Sequence, residues 1–402
     1  MIKLGRSEIL MKLFLAAVLL VSCSIARAGE APAVRVLRVP GEGIQPQAVS
    51  HEGVLHVIYF KGERTHGDLF YVQSADGGAS FSDPVQVNSQ AGSAIAAGTI
   101  RGGQIALGQR GRVHVVWNGS SISQPRGPID PGQPADSPHN GLPMLYSRLG
   151  ADGRFETQRN LMRKTFALDG GGAVAADESG NVYAAWHGSS ENSAKGEAGR
   201  VVWLAKSTDG GGTFSEEKPA FEESTGACGC CGMQVFADSR GRLLALYRAA
   251  RETVHRDIYL LASGDRGKTF RSQRIDPWEI GACPMSSMSF SEGPAGVLAA
   301  WETAGQVFFG RIESQAPSLE GKTAAPGKAD QRKHPRLAQN ARGEALLAWA
   351  EVQGWGKGGE LGWQMFGRDG TPLGDPGSVD NLPAWSFGAP VADSDGGFLL
   401  IY

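Results

Sequence analysis

One stretch of the chain reads Gly226-Ala-Cys-Gly-Cys-Cys-Gly-Met233, then Leu243-Leu-Ala-Leu-Tyr247, Ile258-Tyr-Leu-Leu-Ala-Ser263 and finally Ser263-Gly-Asp-Arg-Gly-Lys-Thr-Phe270. It combines a cysteine-rich loop, two short apolar runs of strand type and a turn that contains Gly and Asp. The rest of the sequence repeats this unit with variations, but the cysteines cluster only here. The unit therefore organises the prediction of both the fold and the site.

The apolar run that ends in an aromatic residue recurs seven times. Its copies end 48 to 69 residues apart, at Tyr59, Trp117, Trp186, Tyr247, Trp301, Trp349 and Tyr402. Further short apolar runs flank most copies, and no long segment has helical periodicity. Repeats of this length built from short strands predict an all-β fold, a β-propeller of four-stranded antiparallel blades.

The two ends of the chain predict how the ring closes. The last copy offers only two strands before the chain stops at Tyr402, while residues 33–39 form an apolar strand with no partner nearby in the sequence. If this N-terminal strand completes the last blade, the ring closes and no strand edge stays open. Seven blades are predicted. Six is the alternative, if the last hairpin merges with the N-terminal segment.

The first 28 residues have the pattern of a secretory signal. Lys12 precedes an apolar run over residues 13–21, which is too short to cross a bilayer. Two processing sites compete: Ala26-Arg-Ala28 suits ordinary cleavage, whereas Leu20-Val-Ser-Cys23 resembles a lipobox that would place a lipid on Cys23. We expect residues 29–402 to form one domain, exported to the periplasm or secreted, with a lipid anchor as the alternative.

Composition limits the classes of partner. Residues 1–28 hold four basic residues and one acidic residue, so their removal changes 39 basic and 41 acidic residues to 35 and 40. The mature chain is therefore slightly acidic and has no basic patch, which argues against a nucleic-acid partner. Nothing in the sequence predicts an oligomer, so we expect a monomer. Its 57 glycines fit many tight turns between short strands.

Three turns share one motif, Ser-x-Asp-x-Gly-x-Ser/Thr-Phe, around Asp76, Asp209 and Asp265. An Asp in such a turn accepts backbone N–H bonds from the residues that follow it, and Gly supplies positive φ. The motif resembles the Asp box (BNR repeat) of the sialidase superfamily, and the propeller that it implies covers about 370 residues. The resemblance implies a structural role for the three Asp residues, on the face opposite the active site.

The resemblance also implies what a sialidase site would need, which is three arginines that grip a carboxylate, a Tyr nucleophile with a Glu partner, and an Asp acid/base. The family's first arginine sits in a motif whose counterpart here reads Gly43-Ile-Gln-Pro-Gln-Ala-Val49, with no arginine. Arg101, Arg248 and Arg336 are alternatives elsewhere, and no Tyr–Glu pair can be assigned from the sequence.

The cysteines predict a cluster on one face. The innermost strands of blades four and five begin Gly226-Ala-Cys228 and Gly281-Ala-Cys283, and equivalent positions in adjacent blades lie close together. We therefore expect Cys283 to meet Cys228, Cys230 and Cys231. Three interpretations stay open: one disulfide to Cys283 with leftover thiols, a soft-metal site for Cu or Zn, or a reactive thiol.

Polar residues that follow the strand-end aromatics are expected at the same face. They are Asn118, His187, Arg248 and Glu302, and Arg101 and His334 stand at the beginnings of inner strands. A concave mouth with convergent polar groups is the default hypothesis for a binding site, so these six are the predicted ligand-binding residues. The first hypothesis is a protein that binds a glycan or another small extracellular ligand, with a structural or metal-bound cysteine group. The alternative is a hydrolase of exo-sialidase type, with Glu302 or His187 as acid/base and Arg101 and Arg248 holding the sugar.

Overall fold

The computed structural model describes residues 33–329, 331–351 and 354–402. The strands, in chain order, are β1 (Val34–Leu37), β2 (Ile44–His51), β3 (Val54–Glu63), β4 (His66–Ser74), β5 (Val85–Gln86), β6 (Gln104–Gly108), β7 (Arg112–Asn118), β8 (Met144–Arg148), β9 (Arg159–Asn160), β10 (Ala173–Ala176), β11 (Val182–Gly188), β12 (Val201–Ser207), β13 (Lys218–Pro219), β14 (Gln234–Ala237), β15 (Leu243–Arg248), β16 (Ile258–Ser263), β17 (Arg271–Asp276), β18 (Ser289–Gly293), β19 (Gly296–Thr303), β20 (Gln306–Ile312), β21 (Leu319–Ala324), β22 (Lys333–Gln339), β23 (Ala345–Glu351), β24 (Gly359–Phe366), β25 (Pro372–Leu382), β26 (Ala389–Ala392) and β27 (Phe398–Ile401).

Helices are nearly absent from the described ranges. They consist of three single-turn 3-10 helices, at Pro40–Glu42, Gln109–Gly111 and Glu197–Gly199. None of the described helices has the length and apolar character needed to span a bilayer. The predicted signal segment, residues 1–28 with Cys23, lies outside the described residues, so the structure bears on neither processing site.

The strands form seven sheets, which confirms the predicted seven-bladed propeller. Six sheets contain four consecutive antiparallel strands each, from β2–β5 through β22–β25. The seventh contains β26, β27 and β1, and β1 pairs in parallel with β27 from Val34 opposite Phe398 to Leu37 opposite Ile401. The N-terminal strand therefore closes the ring, as expected. This last blade has three strands among the described residues, because each end of the chain supplies only part of it.

The core is divided among the blade interfaces. Seven clusters of buried apolar side chains each join two neighbouring blades, and the cluster between the seventh blade and the first completes the circle. Six of the seven repeated aromatics, all except Tyr402, are buried between sheets. A central cavity of about 290 Å³ is lined by residues of all seven innermost strands. The repeated aromatic positions thus correspond to repeated, equivalent interfaces between neighbouring blades.

The antiparallel order of each blade gives the ring two different faces. The turns between first and second and between third and fourth strands lie on one side, which we call the turn face. The connections between second and third strands, and those from one blade to the next, lie on the other side, which we call the loop face. The three Asp-box turns follow β4, β12 and β16, on the turn face.

The Asp boxes have the predicted hydrogen bonds. In the second box, Asp209 accepts bonds from the backbone N–H and the hydroxyl of Thr213 and from the Ser207 hydroxyl. These bonds from the Thr213 backbone, the Ser207 hydroxyl and the Thr213 hydroxyl hold the pKa of Asp209 below its usual value. The boxes of Asp76 and Asp265 repeat the arrangement. All three carboxylates are satisfied within their own turns, as a structural role requires.

Candidate functional site

The cysteines lie on the loop face, in the two connections that lead into neighbouring inner strands. One connection joins β13 to β14 and contains residues 226–233, which we call the cysteine loop. The other joins β17 to β18 and contains Cys283. Since β14 and β18 begin adjacent blades, the two connections meet in space although about 50 residues separate them in the chain.

Within the described ranges there is one disulfide, between Cys230 and Cys283, whose Cα atoms are 6.3 Å apart. Cys228 and Cys231 are free thiols. The Cys228 sulfur lies 3.3 Å from the sulfur of Cys230 and also 3.3 Å from that of Cys231. The sequence therefore predicted the meeting of all four cysteines. One disulfide to Cys283 with two leftover thiols is the arrangement of the first interpretation, and the role of the cluster stays a prediction.

A metal site at this cluster stays a prediction. The sulfurs of Cys228, Cys230 and Cys231 lie within 4.8 Å of one another, close enough in distance to share one ion. However, Cys230 is bonded to Cys283, so only two of the four sulfurs are free thiols in this state. A structural zinc site uses four ligands, and metal-binding cysteines must be thiolates. Cu or Zn could therefore be held by four thiolates only after the disulfide has been reduced.

The two free thiols differ in acidity. Burial raises the pKa of Cys231, but the hydrogen bond from Cys228, the charge of Arg248 and the Ser286 backbone N–H outweigh it and bring the pKa below its usual value. Cys228 is shifted upwards instead, because it shares a hydrogen bond with Cys231 and is itself buried. The pair therefore favours a thiolate on Cys231 with the proton retained on Cys228.

Arg248 and Glu302 form a buried ion pair beneath the cysteine loop. Arg248 Nη2 lies 2.9 Å from Glu302 Oε2 and donates a second bond to the Glu302 carbonyl, and the two side chains are 0% and 2% exposed. The Gly305 backbone N–H donates to the other carboxylate oxygen. Burial raises the pKa of Glu302, although Arg248 opposes the rise. Both residues were predicted to contact a sugar, whereas here they contact each other.

A row of alternating charges lies over the cysteine loop. Arg101 pairs with Asp169 at 2.5 Å, and Arg200 reaches the other Asp169 oxygen at 3.7 Å. Further along, Arg256 pairs with Glu197 at 2.7 Å. We call these five residues the charge row. Arg101 was a predicted site residue, and its side chain keeps a fifth of its surface exposed.

Gly229 fits the cysteine loop against the charge row. Its backbone N–H donates to Glu197 Oε1 at 2.5 Å. A Cβ atom at this position would lie 2.8 Å from an Asp169 oxygen and 3.0 Å from Arg200 Nη1, so any larger residue would displace the charges. The glycine in the Cys-Gly-Cys motif is thus explained, because the backbone of Gly229 lies close to the carboxylates of the charge row.

The remaining predicted residues bond to groups of the loops, and His334 Nδ1 shares its bond with the Ser287 hydroxyl. His187 Nε2 donates to the Cys231 carbonyl, and its Nδ1 is buried without a partner. Asn118 Nδ2 donates to the Gly170 carbonyl. Burial lowers the pKa of His187 to about 4, helped by the charge of Arg200, and burial also lowers the pKa of His334. These side chains are neutral supports of the loop face, and their contact with a ligand stays a prediction.

The loop face is closed over the axis, which explains this burial. Gly232 lies against Ile100 from the second blade and Ser287 from the fifth, so connections from several blades meet near the centre. The sequence places strand-end residues correctly but contains no signal for how far these connections fold inward. Side chains expected to line an open mouth therefore lie under a cover of loops.

Two tryptophans on the same face were missed by the sequence analysis. Trp355 lies in the connection before β24 and is 63% exposed, and it stands edge-on to Trp385 with ring centroids 4.5 Å apart at 87°. Trp385 precedes β26, and its carbonyl accepts a bond from Gln45 Nε2 near the start of β2. A signal was present, because Trp355 stands in the glycine-rich run Gly354-Trp-Gly-Lys-Gly-Gly359, where no strand could bury it.

Comparison with known proteins finds similar structures but no similar sequence. No family model and no curated protein matches the sequence. Among solved structures, the chain is similar to a Hadza microbial sialidase (13% identity, 82% of this chain and 69% of that one, TM-score 0.50). It is also similar to the Penicillium chrysogenum α-L-arabinanase complexed with arabinobiose (13% identity, 83% and 96%, TM-score 0.51).

A third structure is the Trypanosoma rangeli sialidase in complex with the inhibitor DANA (12% identity, TM-score 0.50). The match covers 79% of this chain but spans only about half, 53%, of that sialidase. At such identities the likeness concerns the fold alone. Together with the seven blades and the three Asp boxes, it shows that the chain has the fold of a sialidase-like β-propeller.

Proposed function

We propose that the protein is an exported propeller that binds a glycan on its loop face, with the cysteine group holding that face in shape. The observation that carries the proposal is the tryptophan pair, Trp355 with Trp385. Export rests on the signal pattern of residues 1–28, which no structural observation tests.

The tryptophan pair has the properties of a binding platform. An exposed indole of this size is unfavourable in water, and exposed apolar patches often mark sites of interaction. Trp355 packs on Trp385, whose backbone is anchored to Gln45, so the platform is supported by inner strands. The C–H face of a sugar ring can cover an indole while the hydroxyl groups stay in water. A pyranose or furanose glycan is therefore the ligand class that fits best.

The structural neighbours support this ligand class by analogy. They include sialidases and an arabinanase whose structure holds arabinobiose. Shared fold is weak support for shared ligands, because one fold accommodates many functions. It agrees with the tryptophan pair in pointing to carbohydrate.

Binding is favoured over hydrolysis by the state of the acidic groups. Most retaining and inverting glycosidases use two carboxyl groups that flank the scissile bond, whereas a sialidase uses a Tyr nucleophile with a Glu partner and an Asp acid/base. The predicted acid/base Glu302 is buried against Arg248, and the predicted arginine Arg101 is paired with Asp169. The other candidate, His187, is buried beneath the cysteine loop. The hydrolase would need these groups to be released, so we retain it only as the alternative in the test.

A glycan array followed by titration calorimetry tests the proposal. We expect the wild-type protein to bind at least one class of glycan and Trp355→Ala to weaken that binding about tenfold or more, a loss of about 1.4 kcal/mol. Ile129→Ala is the matched control, since Ile129 is also a large exposed apolar residue, at 55%, in a loop-face connection. Unchanged binding by Trp355→Ala, or no binding of any glycan by the wild type, would contradict the proposal. Release of free sialic acid from sialyllactose would favour the hydrolase instead.

A further inference from the structure

The geometry points to a second activity, independent of glycan binding: the four cysteines form a thiol–disulfide exchange site. In this site the buried pair Cys228 and Cys231 reduces the surface disulfide Cys230–Cys283, which in turn reduces a disulfide of another molecule. The substrate class is a disulfide, carried by a protein or a small molecule that reaches the loop face. The co-reactant that restores the thiols is a dithiol.

Contact between the sulfurs is the first observation. Cys228 lies 3.3 Å from Cys230 and 3.3 Å from Cys231, so its sulfur touches both a disulfide sulfur and the second free thiol. Exchange requires a sulfur to approach a disulfide sulfur directly, and Cys228 occupies that place. A disulfide that served only to join two loops would need neither thiol beside it.

The order of depth is the second observation. Cys283 is exposed, Cys230 is half-buried, and Cys228 and Cys231 are each 1% exposed. An external disulfide can therefore reach the Cys230–Cys283 pair but not the inner pair. Electrons from the inner thiols can leave only through the surface pair, which is the arrangement of a relay.

The surrounding charge is the third observation. Arg248 acts electrostatically on Cys231, and Arg256 acts on Cys228. Arg248 Nε and both Nε and Nη1 of Arg256 are buried without a hydrogen-bond partner. Positive groups of this kind stabilise the negative charge that a sulfur carries as attacker or leaving group. Arg248 and Arg256 pair with Glu302 and Glu197, but these other N–H groups are left without a partner, which is costly in a buried site.

The internal exchange balances without an outside oxidant. Cys228 passes its proton to the Cys231 thiolate and, now itself a thiolate, attacks the Cys230 sulfur; the bond from Cys230 to Cys283 breaks, and Cys283 leaves as a thiolate that takes a proton from water. Cys231 then releases its proton to water, attacks Cys228 and expels Cys230, which is protonated in turn. Counted from the form in which Cys228 and Cys231 are both thiols, one disulfide has been broken and one formed, and two protons have been released and two taken up. The product has an inner Cys228–Cys231 disulfide and a surface dithiol.

The external step uses that surface dithiol. Cys230 as thiolate attacks the disulfide of the substrate, one substrate thiol leaves, and Cys283 attacks the mixed disulfide and releases the second thiol. The substrate gains two electrons and two protons, and the Cys230–Cys283 bond forms again. The protein then holds two disulfides, and two equivalents of a dithiol return it to the four-thiol form.

The experiment uses the whole chain in its four-thiol form, with oxidised glutathione as the disulfide probe. We expect the wild type to consume two equivalents, whereas Cys228→Ser consumes one, because its inner pair is broken. In the double variant Cys230→Ser, Cys283→Ser the inner thiols have no surface disulfide to react with. Their oxidation should therefore be roughly a hundredfold slower than the reaction of the wild type with its second equivalent of oxidised glutathione. A wild type that consumes one equivalent, or a double variant that reacts at the wild-type rate, would overturn the relay.

A second measurement needs only the wild type, in case a variant folds poorly. The reaction is stopped with acid at intervals, and the glutathione adducts are located by peptide mass spectrometry. The relay predicts adducts on Cys230 or Cys283 only. An adduct on Cys228 or Cys231 would show that the inner thiols react directly and would overturn the proposal.

Discussion

The Asp boxes of the turn face and the charged groups around the cysteine loop satisfy their hydrogen bonds in opposite ways. On the turn face, Asp209 bonds to Ser207 and Thr213, which lie within four residues of it in the chain. On the loop face, Arg248 pairs with Glu302 across 54 residues and Arg101 with Asp169 across 68. Buried N–H groups without partners also occur there, at Arg248, Arg200 and Arg256.

The difference shows where the chain holds polar groups that lower the stability of the fold. A carboxylate in an exposed turn costs little, because water and nearby N–H groups solvate it. Buried charges and unpartnered N–H groups are destabilising unless a specific partner compensates for them. Several of them, at His187, Arg200, Arg248 and Arg256, surround the cysteines, and perturbed groups are expected where a face has a function.

The largest expected effect comes from breaking the buried pair of the loop face. Glu302→Gln leaves the Arg248 charge buried without its partner, so we expect the free energy of unfolding to fall by about 3–5 kcal/mol. Urea unfolding measures it. Glu216→Gln, which breaks the exposed pair with Lys164, is the control and should have no resolvable effect. Equal effects of the two substitutions would remove the contrast between buried and exposed charge.

The next effect concerns the link between the fourth and fifth blades. Cys283→Ser removes a disulfide between residues 53 apart. We expect the free energy of unfolding to fall by about 2–4 kcal/mol, because the unfolded chain gains conformational entropy. Reductant is the matched control. It should bring the wild type to the stability of the variant and leave the variant unchanged. A wild type that is insensitive to reductant would mean that the disulfide does not stabilise the fold.

A smaller effect is expected on the turn face. Asp209→Ala removes the acceptor for bonds from Ser207 and Thr213, and because the turn is exposed we expect a loss of only about 1 kcal/mol. Asp209→Asn keeps one acceptor oxygen and should lie between Ala and the wild type. Thermal or urea unfolding distinguishes the three. A loss as large as that of Glu302→Gln would mean that the turn face is not locally satisfied.

The mildest perturbation is a change of pH, and His187 on the loop face and Asp76 on the turn face should respond in different windows. Burial holds the pKa of His187 at about 4. Below about pH 6.5 this histidine is therefore protonated in the unfolded chain but not in the folded chain. The free energy of unfolding consequently falls as the pH drops from about 6.5 to 4. Hydrogen bonds from the Ser80 hydroxyl and backbone, and from Ser74, hold the pKa of Asp76 at about 2. The stability contribution of Asp76 is therefore complete above pH 4 and is lost as the pH falls towards 2.

Unfolding curves at a series of pH values test these windows. His187→Gln should flatten the slope above pH 4 only in part, because burial also lowers the pKa of His56, His114 and His334. Asp76→Asn should flatten the slope below pH 4 alone. If both substitutions acted in the same window, the assignment of charge states to the two faces would be wrong.

The sequence predicted the features that depend on local or repeated physics. Blade number, ring closure, the Asp-box bonds and the meeting of Cys283 with Cys228, Cys230 and Cys231 all follow from period and from equivalent positions in adjacent blades. It did not predict which cysteine would pair with Cys283. It also placed Glu302 at an open mouth, because strand-end position does not reveal the depth of the loops that cover it. The partners Asp169 and Glu197 lie in irregular connections, where no periodicity marks them.

The most direct measurement is the thiol state and metal content of the protein, purified without reductant and alkylated in denaturant. The account predicts two alkylated cysteines, Cys228 and Cys231, a Cys230–Cys283 disulfide in the peptide map, and no stoichiometric Cu or Zn. Four free thiols together with one bound metal ion would contradict it. That result would make the cluster a metal site instead of a thiol–disulfide site.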